Sequence, residues 1–162
     1  MRRIWCVCLC LCLTSCGGKD YPHQTYPVAG QVLVNGKPAE GVEVTFRSFG
    51  DMGAEPYAPQ GVTDREGRFT LTTYVQEDGA PAGSYQVGLT WPTYRRKTGN
   101  GPDRLGGKFE KPQGSGLTAQ VDAGPNTLPP TEVKVDQTII NAADTKSKKE
   151  MELKTKKRKD RY

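Results

Sequence analysis

The residues able to do chemistry are unevenly placed along this chain. All five cysteines, Cys6, Cys8, Cys10, Cys12 and Cys16, fall in the first sixteen positions, and the single histidine is His23. A structural zinc site is built from Cys and His ligands, and a Ser-His-Asp arrangement needs its histidine held in a cleft rather than on a leader. Beyond residue 25 neither can be assembled, and no disulfide framework can form there. Asp64 and Glu66 stand in Asp64-Arg65-Glu66-Gly67. Clustered oxygens suit a hard cation, but a turn explains the same residues: Asp bonds its own backbone and Gly supplies a conformation other residues resist. Asp51, Glu55, Glu77 and Asp78 are scattered over loops and read as solvated rather than paired for acid-base work. No catalytic residue, metal or cofactor is expected.

One segment does mix aromatics with cations. Tyr94-Arg95-Arg96-Lys97 is followed by Asp103-Arg104-Leu105-Gly106-Gly107-Lys108-Phe109. Such a surface suits a glycan, a peptide or an anionic polymer, which makes Tyr94, Arg95, Arg96, Arg104, Lys108 and Phe109 the candidate ligand-binding residues. The competing reading is that Leu105 and Phe109 pin the loop onto the domain and leave the charges in water. The surrounding stretch, 92–116, has no periodicity of its own, and loops of that length are usually functional or disordered.

The net charge of +5 suggests nucleic acid only until it is divided along the chain. Residues 146–162 hold nine basic side chains against three acidic ones, a net +6 that leaves −1 for everything before them. A mildly acidic body with a basic tail is not a basic domain. The tail from Thr138 has few apolar residues, so disorder is expected there, with a transient helix over Lys148 to Lys159 as the alternative, although Met151 and Leu153 make no amphipathic stripe. Its cations suit cell-envelope polymers or anionic lipid headgroups, each contact sensitive to salt; an exported chain is not expected to meet nucleic acid.

The elements that must carry these groups begin with Met1-Arg2-Arg3, a positive start, and a ten-residue apolar run from Ile4 to Leu13. As a helix that run rises about 15 Å against roughly 30 Å of hydrocarbon, so it fits a signal peptide rather than a membrane span. It ends in Leu13-Thr14-Ser15-Cys16, which resembles the lipobox of bacterial lipoproteins. The resemblance implies diacylglycerol on the Cys16 thiol and cleavage after Ser15, with membrane lipid as the first partner. Two or three acyl chains anchor stably, at about 0.8 kcal/mol per buried methylene. Gly17, where aspartate would favour inner-membrane retention, implies an outer-membrane or cell-surface destination. Residues 16–25 then form a polar tether.

From Pro27 to Gln137 apolar and polar residues alternate in short runs, the period of half-buried strands. Val28, Val32 and Val34 share one face. Asn35-Gly36 marks a hairpin, with Pro38 and Gly41 lengthening the connection. Val42, Val44 and Phe46 follow, then a short strand at Val62 that the Asp64–Gly67 turn joins to Phe69 and Leu71 as a second hairpin. Tyr85, Val87, Leu89 and Trp91 form the clearest run, and Pro92 ends it. Leu117, Ala119 and Val121, then Val133 and Val135, close the set. Seven strands with one apolar face each require a second sheet to cover them.

The pattern Pro27-Val28-Ala29-Gly30-Gln31-Val32 with Asn35-Gly36-Lys37-Pro38, Gly41-Val42-Glu43-Val44-Thr45-Phe46 and Gly61-Val62-Thr63-Asp64-Arg65-Glu66-Gly67-Arg68-Phe69 resembles carboxypeptidase regulatory-like domains. The resemblance implies an all-β, seven-stranded, Ig-like or transthyretin-like (prealbumin-like) β-sandwich over residues 26–137, between a signal peptide (1–15) with its tether and a disordered basic tail (138–162). Turn and core motifs specify fold and leave activity open. Hydrolases on a related fold depend on several histidines that are absent here. The expectation is a non-catalytic envelope module. Its alternatives are an accessory subunit presenting a carbohydrate or peptide to a partner enzyme, and, more remotely, a hydrolase.

Overall fold

The computed structural model describes residues 20–50, 57–94 and 100–159. It is mostly β-structure with one short helix, α1 (Pro112–Ser115), and a C-terminal helix. Each expected run forms a strand: β2 (Val28–Val34), β4 (Glu43–Ser48), β5 (Gln60–Val62), β6 (Arg68–Thr70), β8 (Gly83–Thr90), β9 (Leu117–Val121) and β11 (Thr131–Val133). The count of seven is too low for the described residues, because four two-residue strands join them: β1 (Thr25–Tyr26), β3 (Lys37–Pro38), β7 (Ala80–Pro81) and β10 (Asn126–Thr127). Two residues carry no period, so their pairing comes from the chain around them.

One sheet is built on β2, which pairs in parallel with β10 and β11 and antiparallel with β3 and β6. The other runs β5-β4-β8-β9, antiparallel throughout. Their inner faces share one core that includes Val32, Val44, Phe46, Phe69, Leu71, Leu89 and Val121. Burying each such side chain stabilises by roughly 1.5–3 kcal/mol, enough for a domain whose described residues include no cysteine. Two polar side chains that enter this core, Thr63 and Tyr85, are hydrogen-bonded there. Thr63 Oγ1 accepts from the Val42 amide at 2.8 Å and donates to the Ala39 carbonyl at 2.6 Å. Tyr85 is fully buried and donates to the Pro81 carbonyl at 2.6 Å; burial, with Tyr57 beside it, pushes its phenol well above the usual range.

Two connections differ from expectation. Asn35 and Gly36 both take positive φ, 53° and 76°, in a two-residue turn that pairs Val34 with Lys37. The hairpin is therefore tight, and the longer path to β4 is spent on β3. The Asp64–Gly67 turn closes a hairpin that splays: β5 pairs with β4 and β6 with β2, so the turn also carries the chain from one sheet to the other. Across this seam the Asp64 amide donates to the Arg68 carbonyl at 2.8 Å, and Gln60 pairs antiparallel with Thr72 just beyond β6. Gly61 sits so near it that a Cβ would lie 2.5 Å from the Thr70 carbonyl oxygen.

The tail is the largest departure. In place of disorder, Gln137–Lys159 forms helix α2. Ile140, Ala143 and Ser147 are buried along one face, at the spacing of successive turns, so the tail is ordered by docking rather than by its own composition. Asp136 caps its start, accepting from the Thr138 amide at 2.9 Å; that bond and the Thr138 hydroxyl hold the Asp136 carboxyl below its usual value. Among the described residues no helix is long and apolar enough to cross a membrane.

The ends of the sandwich are distinct. The chain arrives where Thr25 and Tyr26 pair with Pro81 and Ala80, beside the starts of β2 and β8. It arrives held, with Tyr21 stacked on Tyr74 at 4.7 Å and His23 against Tyr57 at 4.8 Å. At the opposite end lie the Asn35 turn, the start of β4, the end of β8 and α2.

Candidate functional site

The aromatic and cationic loop leaves β8 at that far end and folds back on itself. The Pro92↔Asp103 bridge and bonds from Thr93 N to Pro102 O (3.0 Å) and Gly101 N to Tyr94 O (2.9 Å) bring its two arms together. Asp103 is the organiser that sequence reasoning passed over. Its carboxylate accepts from the amides of Trp91 (2.7 Å), Leu105 (3.0 Å) and Gly107 (2.8 Å), fixing a turn that drives Leu105 and Phe109 into the core. The Phe109 carbonyl then takes the Leu89 amide at 2.8 Å, so the loop returns as an extension of the sheet edge.

The candidate ligand-binding residues are largely committed to the protein itself. Arg104 donates from Nε to Asp144 at 2.8 Å and from its guanidinium to the Pro92 carbonyl at 3.1 Å, and it lies 5.1 Å over the Trp91 ring. Tyr94 donates to Glu150 at 3.0 Å, with the Lys154 ammonium 5.9 Å over its ring. Lys108 lies 5.2 Å over Phe109, which is buried. Arg95 and Arg96 lie outside the described residues, as does Cys16. The structure thus brings Tyr94 and Arg104 to α2 and sends Phe109 into the core; among the described residues the candidates converge on no shared cleft. Asp144 and Glu150, their partners, lie on the same helical face as Ile140, Ala143 and Ser147, and that spacing was the available signal.

Other concave features offer little chemistry. A cavity of about 410 Å³ opens between the sheets beside β9, lined by Phe46, Phe69, Leu117, Ala119, Leu128 and Pro130 among others, with no ionisable group in its wall. A trough of about 690 Å³ over β2 and β6 includes Asp64 and Arg68, but these pair with each other at 3.2 Å. Asp64 also accepts from the amides of Glu66 (3.0 Å) and Arg68 (2.8 Å), so the Asp64–Glu66 segment is a turn rather than a cation loop. Among the described residues no group of three or more His, Cys, Asp or Glu side chains is placed to hold a metal.

No family model matches the chain, and no curated protein matches it. Solved structures give distant likenesses. A DUF3823 family protein from Parabacteroides merdae is 15% identical with a TM-score of 0.38, over 68% of this chain and 46% of that one, so the chain spans less than half its length. The major plantain pollen allergen Pla l 1 is 17% identical with a TM-score of 0.39, over 69% of this chain and 94% of that one. The Klebsiella pneumoniae 5-hydroxyisourate hydrolase is 21% identical with a TM-score of 0.32, over 72% and 91%. None of these likenesses carries fold or activity to this chain; the sandwich rests on its own strand pairing.

Proposed function

We propose that this chain is an exported lipoprotein, held through an acylated Cys16 in the cell envelope, whose β-sandwich of the transthyretin-like, carboxypeptidase regulatory-like kind is a non-catalytic structural or interaction module. The observation that supports the module reading is the use of the loop: Tyr94 and Arg104 hold α2, and Leu105 and Phe109 fill the core. An accessory subunit presenting a ligand would need those side chains facing outward around a cleft. The anchor reading rests on Leu13-Thr14-Ser15-Cys16 behind an apolar run too short to span. Cells fed radioactive fatty acid test it. The wild-type chain should take up label and Cys16→Ala should not, accumulating instead as uncleaved precursor; unchanged labelling of the variant overturns the anchor.

A further inference from the structure

We infer that the outward face of α2 is a docking surface for an extended anionic polysaccharide of the envelope, and not for the membrane that holds the protein. The inference rests on the anchor reading above and deepens it by choosing the partner. The inward face of α2 is fixed by Ile140, Ala143 and Ser147, and continues through Glu150 and Lys154 onto Tyr94. At about 100° per residue, Lys148, Lys149, Lys156 and Lys159 all fall within roughly 60° of the opposite direction. They are exposed, and they span about 16 Å along the axis. Glu152 shares this face one turn from Lys148 and from Lys156, where it supports the helix; the face keeps a net +3.

Three features select a polymer. The outward face has no large apolar side chain: Met151 leans toward the body and Leu153 lies to the side, so nothing would insert among lipid tails, as an interfacial helix requires. The helix is clamped from the inward side by the Arg104–Asp144 and Tyr94–Glu150 contacts, so its lysines face outward as a row at helical spacing, suited to a repeating anion. And α2 starts at the end of the sandwich opposite Thr25–Tyr26, tied there through Val135 to Asn35 and separated from the entry by the length of β2. Seven residues of strand measure about 23 Å. With a screening length of about 8 Å at physiological salt, the leaflet that holds the acyl chains exerts little pull at that distance.

The test uses the full lipidated chain in detergent micelles and two probes, fluorescein-labelled polygalacturonate and vesicles of phosphatidylglycerol with phosphatidylcholine. K148Q/K149Q/K156Q/K159Q removes the row while keeping a good helix former at each position, and circular dichroism confirms that α2 persists. Polygalacturonate binding at about 50 mM salt should weaken by about tenfold or more in the variant, and raising the salt should weaken it in the wild type. Equal polymer binding by the two chains overturns the inference, as does a loss confined to the anionic vesicles. Fatty-acid labelling of Cys16→Ala in parallel separates the two readings: retained label overturns the anchor alone, whereas the four-lysine comparison bears on the polymer alone.

Discussion

Asp64 accepts two backbone amides and a guanidinium, with the amide bond from Arg68 the largest influence, and these hold its carboxyl below the ordinary value of 3.8. A carboxyl depressed in the folded state contributes stability above its unfolded pKa and loses it as pH falls through the folded one. The contribution should therefore fade below about pH 4. Urea midpoints of wild type and Asp64→Asn, compared from about pH 5 down to pH 2, should differ most at the upper end and converge at the lower; a constant gap would mean that the carboxylate charge is not what holds this turn. The turn itself was legible, because Asp, Gly and their spacing act locally. That it joins two sheets was not, since Gly61 meets Thr70 only after the sheets have stacked. Arg104 shows the same limit. Its character as a cation beside aromatics is visible in the sequence, but its partner Asp144 is forty positions away.

The seven strands of three or more residues were readable from the alternation that each run and its flanks carry. Helix α2 was not, because its buried stripe is short and its composition is that of a solvated chain. Isolated, a segment so rich in lysine would gain little from helix formation, and docking of its first half supplies the difference. Ile140 carries that docking, being 9% exposed and part of the common core. Ile140→Ala should cost about 2 kcal/mol, the low end for such a truncation because the site lies at the edge of the core. The sandwich should survive while α2 loosens, so trypsin should cut within 146–159 much faster in the variant, with the β-sheet signal in circular dichroism unchanged. Equal cleavage rates in the two chains would mean that the helix does not depend on this contact.

At the scale of the whole molecule, strand direction decides what each end can reach. The N-terminal segment is pinned by Tyr21 and His23 at the start of β2, so whatever holds residues before it also holds that end of the sandwich. The loop and α2 are carried to the other end by β8 and β11, and the Asn35 side chain ties residue 135 there, donating to its carbonyl and accepting from its amide at 2.9 Å each. The separation is a property of the fold, independent of any partner. Spin labels at Gln24 and Thr145, one beside β1 and one on the outward side of α2, should give a narrow distance distribution centred beyond about 25 Å, since β2 alone accounts for roughly 23 Å of it. A centre below about 20 Å would place α2 back along the flank of the sandwich. In that arrangement its lysines would face the same surface as the tether, and the charge row would serve the anchoring membrane instead of a polymer beyond it.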